Sequence, residues 1–338
     1  MNGNYLLSIC IPTYNREEHL KRQVDYLLSE GAYEDDRIQM VISDNHSDDG
    51  TKSYLEALSM RCPEIVVNRN ETNLGLARNL FVCSQLARGK FIWIVGDDDQ
   101  IFPGTVHTVL ELLEAYPDIG HLFLNHIDLY LSHSDKIKGK KEFVQPTERI
   151  LYSSSGGYFE DGFEMFRHLT LSSRGFGMQM FITGNIYRAE MLKEANAIFL
   201  RHKILDNLAL PLGYSLYCSK LRGYAVAEVF VKDSSPGFSS PERLVGIFSR
   251  DIIEICDVVG TEMGRGDEIR KLIVQVYKGR CPEFEYMVRG WKYREDNYAM
   301  KMYWRHFPRE VVLDFFRYPV YVLKRVFRDM KLFVLGRR

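Results

Sequence analysis

Short apolar segments that alternate with amphipathic helical segments constrain the fold of this chain more than any other feature. In the first hundred residues, strand-length apolar runs are separated by segments whose apolar residues recur at helical spacing. The predicted strands are 5–11, 38–42, 65–67 and 91–95. A first helix is predicted after Pro12, with Asn15 as its N-cap and Glu18 as the reciprocal acid, and three further helices are predicted at 51–61, 76–87 and 106–113. This alternation predicts an α/β fold with a mostly parallel sheet.

The remainder of the chain has a different texture. Residues 121–124 and 181–187 are predicted to return to the sheet, a helix begins near Ala189, and 132–157 have the composition of an exposed excursion. From about residue 231 helical patterns dominate. We therefore predict an α/β domain over 1–230 and a mainly helical C-terminal region over 231–338.

Composition excludes several classes of protein. The 338 residues are 46% hydrophobic with a formal net charge of −1, which excludes a disordered chain and gives no overall bias toward nucleic acid. The six cysteines have neither the mutual spacing nor the histidine partners of a zinc site, so they are predicted to be reduced and mostly buried. The sequence has no signal-peptide pattern and no apolar segment of membrane-spanning length, which favours a cytoplasmic protein.

Polar clusters follow three of the predicted strands. They are residues 13–16, residues 43–50 and the acidic triplet, which we define as Asp97, Asp98 and Asp99. Ligands of parallel sheets gather where strands end. Adjacent carboxylates repel one another unless a cation offsets them, and Mg²⁺ or Mn²⁺ with a nucleotide diphosphate suits such a group. The alternative is a solvated acidic turn that caps the next helix.

Asp44 ends the second predicted strand. A carboxylate in this position can accept hydrogen bonds from the base or ribose of a nucleotide. It can equally form an ordinary Asx turn before the next helix. The local sequence is compatible with both interpretations.

Taken together and in order, these motifs resemble family 2 glycosyltransferases of the GT-A fold. That fold is Rossmann-like and binds nucleotide-diphospho-sugars, and the family's inverting enzymes build bacterial surface polysaccharides such as O-antigen and capsule. The matching segments are Ser8 to Arg16, Ser43-Asp44-Asn45, Ser47 to Thr51, Asn73 to Asn79 and Gly89 to Asp99. The resemblance is strong over the first third of the chain and weaker to about residue 215.

The resemblance implies roles for individual residues. The nucleotide pocket would be lined by Pro12, Thr13, Tyr14 and Arg16, while Asp44 would hold the base and Arg78 would contact the nucleotide. The acidic triplet corresponds to the family's DxD motif, whose members reach the ribose and a Mn²⁺ or Mg²⁺ ion. If Asp97-x-Asp99 is aligned with the DxD motif, Asp99 is the metal ligand. If the downstream Pro103 is aligned with the family, Asp98 is favoured, and Asp97 is the third candidate.

The resemblance also implies a general base, an aspartate that takes the proton of the acceptor hydroxyl. Asp206 lies at the expected distance after Gly184-Asn185, although the family's usual Glu-Asp is Leu205-Asp206 here. His202 is the fallback, and Asp161 and Asp233 are weaker candidates. Arg243, beside Ser239 and Ser240, lies in a loop that is either solvated or able to close over a diphosphate.

The C-terminal tail, residues 318–338, combines apolar residues at helical spacing with a basic face. That pattern suits a helix on the anionic cytoplasmic face of the inner membrane, and it equally suits a terminal helix packed on its own domain. Membrane attachment would bring the enzyme to a lipid-linked glycan acceptor.

The sequence favours transfer from a nucleotide sugar, with a UDP-sugar preferred and a CDP-sugar as an alternative, to a lipid-linked glycan. A nucleotidyltransferase would share the sheet and the carboxylates, but such enzymes usually have a Gly-rich basic loop where this chain has Pro12-Thr13-Tyr14-Asn15. A glycan-binding protein with a degenerate donor pocket would need no metal site and no base, which the intact acidic triplet disfavours.

Overall fold

The computed structural model describes residues 5–130, 147–150, 156–173, 175–232 and 246–277, together with 301, 304, 305, 309 and 319. Within these residues one ten-stranded sheet has the order β3-β2-β1-β4-β9-β6-β10-β5, with β7 on β6 and β8 on β10. The strands are β1 Leu7–Thr13, β2 Ile38–Asp44, β3 Val66–Arg69, β4 Phe91–Ile94, β5 Gln100–Ile101, β6 Ile119–Tyr130, β7 Thr147–Ile150, β8 Gly157–Phe159, β9 Asn185–Arg188 and β10 Arg222–Lys232.

Helices connect most of these strands. They are α1 Glu17–Ser29, α2 Thr51–Arg61, α3 Leu76–Leu86, α4 Thr105–Ala115, α5 Gly162–Ser172, α6 Gly177–Met180, α7 Ala189–His202, α8 Leu210–Cys218, α9 Ile252–Glu262 and α10 Gly266–Tyr277. A 3₁₀ turn at Ile182–Gly184 precedes β9, and a π-helical turn at Ile247–Asp251 leads into α9. No helix in the described part of the chain is long and apolar enough to cross a membrane.

The first half of the sheet is parallel. β2 lies between β1 and β3, and β4 pairs with the other side of β1, all four running in one direction. β1, β2 and β4 are mostly apolar and are buried along their length, as strands covered by helices on both faces must be. The carboxyl ends of these strands therefore meet at one edge.

Beyond β4 the sheet is mixed. β9 runs antiparallel to both β4 and β6, while β10 is parallel to β6 and antiparallel to β5 and β8. The predicted α/β class is confirmed, and β1 to β4, β6 and β10 run in one direction, as expected for a mostly parallel sheet. β9 arrives from the 3₁₀ turn with the opposite chain direction and separates the two parallel parts.

The core has two principal apolar clusters. One contains Leu7, Ile9, Trp93 and neighbours from α1, α2 and α4. The other joins Cys10 and Ile94 to α3, α7, α8 and also α9 and α10. Helices beyond residue 246 thus share a core with the α/β domain, and the predicted boundary near residue 231 stays a prediction.

Of two further sequence predictions, the structure contradicts the one for Asn15 and confirms the one for the cysteines that it describes. Asn15 is not the cap of α1, which begins at Glu17: its backbone is left-handed (φ 53°), and its side-chain oxygen accepts the Asp48 N–H at 2.7 Å. The prediction of buried reduced thiols is confirmed for the described cysteines, which are Cys10, Cys62, Cys83, Cys218 and Cys256. The predictions for Cys281, Asp233, Arg243 with its loop, and the basic face of the tail lie outside the described residues.

Candidate active site

The carboxyl ends of β1, β2 and β4 bring the three predicted polar clusters together. Thr13 pairs in register with Asp44, and the Val95 N–H donates to the Cys10 carbonyl at 2.9 Å, which keeps β4 beside β1 up to the acidic triplet. The Thr13 hydroxyl then donates to Asp97 Oδ2 at 2.7 Å. Residues 84 positions apart in the sequence thus share one site.

Each member of the acidic triplet has a different environment. Asp97 is buried, and its second oxygen accepts from Arg16 Nη1 at 2.9 Å. The same Arg16 nitrogen lies 2.6 Å from Asp98 Oδ2, so one guanidinium bridges two carboxylates. Asp99 is buried and accepts the hydroxyl of Thr183, which in turn accepts the Gly96 N–H at 2.8 Å.

Glycine at position 96 permits this arrangement. A Cβ built on Gly96 would lie 2.6 Å from Asp99 Oδ2, so any side chain would displace the carboxylate. The turn after β4 therefore folds Asp99 back toward Thr183 only because residue 96 has no side chain.

Burial raises the pKa of Asp97, and Arg16 and the Thr13 hydroxyl offset part of that rise. Burial lowers the pKa of Arg16, but Asp97 and Asp98 outweigh it and raise that pKa above its ordinary value. The guanidinium thus partly neutralises the acidic triplet.

The donor set of the acidic triplet fits a hard divalent cation whose shell is only partly supplied by protein. Within the described ranges no three His, Cys, Asp or Glu side chains form a complete metal cage. Mg²⁺ does not need one, because it binds through one or two carboxylates and takes waters and phosphate oxygens for the rest. All three carboxylates already have side-chain partners, which are Thr13 and Arg16 for Asp97, Arg16 for Asp98 and Thr183 for Asp99, so a cation would bind here in exchange for, or in addition to, these contacts.

Asp44 is fully buried, and its contacts are those of an Asx turn extended by an ion pair. One oxygen accepts from the Ser47 N–H at 3.0 Å and from the Ser47 hydroxyl at 2.5 Å. The other pairs with Nη1 of Arg69, whose Nη2 donates to the Ser47 carbonyl at 2.9 Å. Arg69 ends β3 in register with Asp44, and it is the more exposed member of the pair.

An asparagine network fixes the segment between β3 and α3. Asn79 accepts from the Ser43 hydroxyl at 2.7 Å and from Asn70 at 3.0 Å, while Asn45 accepts from Asn70 and from the Leu74 N–H. The members are Ser43, Asn45, Asn68, Asn70, Asn73 and Asn79. The network sets the position of the first turn of α3, which carries Arg78.

Arg78 and Asp206, predicted separately as a nucleotide contact and a general base, form a bidentate ion pair. Nε lies 2.5 Å from Oδ1 and Nη2 lies 2.8 Å from Oδ2, and both side chains are exposed. The hydrogen bonds from Arg78 hold the pKa of Asp206 below its ordinary value. The other base candidates have different partners: His202 contacts Glu262 at 2.7 Å, and Asp161 caps α5.

Two buried histidines of β6 contact the segment around Thr183. His121 Nε2 lies 2.7 Å from Asn185 Oδ1, and the His126 ring packs on Phe181 with ring centroids 4.2 Å apart. Burial lowers the pKa of each histidine to about 4. Both imidazoles are therefore neutral at physiological pH.

Sequence reasoning missed Thr183, Arg69 and Asn79 as site residues. Arg69 lies two residues after the apolar pair Val66-Val67 of β3, and Thr183 directly precedes Gly184-Asn185, so each lies at the border of a recognised motif. Asn79 ends the matching segment Asn73 to Asn79, but the resemblance gives this position no role. Arg69 pairs with Asp44, 25 positions away, Asn79 with Ser43, 36 positions away, and Thr183 with Asp99, 84 positions away, and no local pattern encodes such pairings.

Comparison with known proteins gives the family. The family model "Glycosyl transferase family 2" matches residues 8–178, half of the chain. The abequosyltransferase RfbV of Salmonella typhimurium is 35% identical over 116 residues, which is 34% of each chain. A GalNAc(5)-diNAcBac-PP-undecaprenol beta-1,3-glucosyltransferase of Campylobacter jejuni is 23% identical over 181 residues, 52% of this chain and 56% of the relative. These matches thus span about a third to a half of the relatives' length.

A solved structure shares the fold. TarS residues 1–349 of S. aureus superpose with a TM-score of 0.54 and 16% identity, over 80% of this chain and 70% of that one. The parallel strands, the polar edge and the acidic triplet define a GT-A glycosyltransferase with a helical extension. The chain belongs to glycosyl transferase family 2, and glycosyltransferases with this fold commonly use a divalent metal ion.

Proposed function

We propose that the protein transfers a sugar from a nucleotide-diphosphate donor to a hydroxyl group of a glycan acceptor, with inversion at the anomeric carbon. The observation that carries the proposal is the acidic triplet, which Thr13 and Arg16 hold from one side and Thr183 from the other. Three carboxylates held in this way at the end of a buried strand are costly for stability and useful for binding a cation and a diphosphate.

In the proposed reaction Asp206 takes the proton of the acceptor hydroxyl. The oxygen then forms a bond to the anomeric carbon as the bond to the diphosphate breaks on the opposite face, and the electron pair leaves with the diphosphate. A Mn²⁺ or Mg²⁺ ion held by Asp98 and Asp99 would neutralise the departing diphosphate. The side chain of Asp97 keeps Thr13 and Arg16 in position.

The donor would lie along the carboxyl ends of β1 and β2. Pro12 and Thr13 are buried parts of β1, whereas Tyr14 and Arg16 are exposed and available to a base and a phosphate. Asp44 would act on the base through the Arg69 guanidinium, since its own oxygens are already engaged. A UDP-sugar is the preferred donor and a CDP-sugar the second; TarS has been crystallised with UDP and with UDP-GlcNAc.

A lipid-linked glycan is the proposed acceptor, in the synthesis of O-antigen, capsule or a related surface polysaccharide. The Campylobacter relative is named for an undecaprenol-linked acceptor, which supports the proposal. Such an acceptor places the enzyme at the cytoplasmic face of the inner membrane, held by the tail 318–338. Truncation after Pro319 should then move the protein from the membrane fraction to the soluble fraction, and unchanged fractionation would contradict this attachment.

Nucleotide release from UDP-, GDP-, CDP- and dTDP-sugars, each with Mn²⁺ or Mg²⁺, tests the proposal. We expect metal-dependent release from one donor, which falls at least tenfold in Asp99→Asn and about 10² to 10⁴-fold in Asp206→Asn. Asp118→Asn, which removes an exposed carboxylate paired with Arg222, serves as the control and should change nothing. If the protein binds a nucleotide but releases none from any donor, even when a lipid-glycan extract is added, the result would favour a glycan-binding protein.

A further inference from the structure

The ion pair between Arg78 and Asp206 joins two residues that the proposed reaction needs for different tasks. The pair is bidentate, at 2.5 and 2.8 Å, and it spans 128 positions of sequence. Arg78 belongs to the donor side and Asp206 to the acceptor side. In this structure the guanidinium of Arg78 is bonded to Asp206 instead of to a donor, and the carboxylate of Asp206 is bonded to Arg78 instead of to an acceptor.

The backbone on the Asp206 side is firmly held. Asn207, which is buried, donates to the Asp251 carbonyl at 3.0 Å and to Glu254 at 3.1 Å. The Leu208 N–H donates to Asp251 Oδ2 at 3.3 Å. Asp206 is thus an exposed side chain, 69% accessible, between residues that are anchored to the turn preceding α9.

The backbone on the Arg78 side is held as well. The next residue, Asn79, is buried in the asparagine network, where it bonds Ser43 and Asn70. The Arg78 side chain itself is 46% accessible. The pair can therefore separate by rotation of two exposed side chains, without movement of either segment of chain.

The pair as it stands opposes the action of a general base. Each oxygen of Asp206 accepts one hydrogen bond from Arg78, which occupies one of its lone pairs and turns the carboxylate toward the guanidinium. The same contact lowers the pKa of Asp206, which weakens it as a base. Asp206 is therefore a stronger base once the guanidinium has found another partner.

A diphosphate is such a partner. Arg78 lies in the first turn of α3, a turn without an acidic residue, where the helix dipole favours an anion. Guanidinium groups bind phosphate oxygens in the same two-pronged geometry as carboxylates. Exposed ion pairs contribute little to stability, so the exchange of a carboxylate for a more highly charged diphosphate is favourable.

We infer that Arg78 holds Asp206 in the donor-free enzyme and that donor binding releases the base: the diphosphate takes over Arg78, and the freed Asp206 is the stronger proton acceptor. This inference rests on the proposed function. It gives the base its full strength only when a donor is bound, so that proton transfer and departure of the diphosphate are coupled through one arginine.

A double-mutant cycle on nucleotide binding tests the exchange. The dissociation constants of UDP, CDP, GDP and dTDP are measured by calorimetry with Mg²⁺ for wild type, Asp206→Asn, Arg78→Gln and the double variant. Because Asp206 competes for Arg78, Asp206→Asn should tighten binding about two- to fivefold. In the Arg78→Gln background the same substitution should have no effect.

The outcomes separate this inference from the proposed function. Equal tightening in both backgrounds would mean that only bulk charge has changed, and it would overturn the exchange while the proposed function stands. Unchanged binding in Asp206→Asn would overturn it in the same way. Failure of every variant, wild type included, to bind any of the four diphosphates would overturn both. The control Asp118→Asn should leave each dissociation constant as it is in wild type.

Discussion

The half of the sheet formed by β1 to β4 and the half formed by β6, β9 and β10 hold their polar side chains in different ways. At the edge of the first half, exposed arginines pair with carboxylates: Arg16 with the acidic triplet and Arg78 with Asp206. In the second half the polar groups next to the Thr183 segment are neutral and buried, as with His121 and Asn185.

The difference means that the first half can exchange the partners of its charged side chains, whereas the second half supports a fixed backbone. Ion pairs with one exposed member can change partners at little cost, which a site that binds and releases a charged donor requires. Buried neutral groups cannot be rehydrated cheaply, so they keep the backbone in one arrangement. Thr183 is the link between the two halves, because its segment contacts the buried histidines while its hydroxyl binds Asp99.

The largest effect we expect is the acid sensitivity of the second half. The folded protein keeps His121 and His126 neutral down to about pH 4, whereas in the unfolded chain they protonate near their ordinary 6.5. The unfolded state therefore binds more protons between these values, and stability falls as pH falls from 6.5 toward 4. From pH 7 to pH 5 the loss should be on the order of 2 kcal/mol for each histidine.

Denaturant unfolding at pH 7, 6 and 5 measures this loss. His121→Gln and His126→Phe should each remove about half of the pH dependence, whatever their stability at pH 7. His107→Gln, which replaces an exposed histidine on α4, should leave the slope unchanged. A slope that survives both core replacements would show that the second half is not the acid-sensitive one.

The link through Thr183 should have the next largest effect. Thr183→Val keeps the shape of the side chain but removes the hydroxyl that binds Asp99 and Gly96. A hydrogen bond to a charged group contributes about 1.5–3 kcal/mol, so Mn²⁺ affinity in the presence of a nucleotide diphosphate should fall about tenfold or more. Thr183→Ser restores the hydroxyl and should stay near wild type; equal losses in the two variants would mean that packing matters and not the hydroxyl.

The smallest effect concerns Arg16. Its guanidinium bridges Asp97 and Asp98, where it competes with a metal ion for the carboxylates. Arg16→Gln should therefore tighten nucleotide-free Mn²⁺ binding about two- to fivefold, as seen by electron paramagnetic resonance. Arg22→Gln, on the exposed face of α1, the helix that Arg16 directly precedes, is the matched control. Weaker Mn²⁺ binding in Arg16→Gln would show that Arg16 organises the carboxylates instead of competing for them.

The first half of the fold follows closely from the sequence. α2 lies at the predicted residues, 51–61, and β1 to β4 are displaced by two residues or fewer. Here each strand and helix is specified by its own apolar periodicity, and each strand of the parallel group is connected to the next by a helix. The acidic triplet was predictable for the same reason, because it directly follows a buried strand.

Contacts between distant segments were not predictable in this way. Asn15 has the spacing of a helix cap, but its side chain bonds Asp48, 33 positions away, in preference to its own helix. The sequence left Asp44 open to two interpretations, a nucleotide contact and an Asx turn, and it did not indicate the ion pair with Arg69. Each outcome depends on which strands become neighbours.

The sequence by itself determined the α/β class, the position of the polar edge and the identity of the acidic triplet, because these depend on periodicity and on residues adjacent in the chain. Only the tertiary structure decided the antiparallel insertion of β9, the hold of Thr183 on Asp99 and the pairing of Arg78 with Asp206. Hydrogen bonds and ion pairs act over about 3 Å, so a partner 80 or 130 positions away is defined only once the sheet has formed.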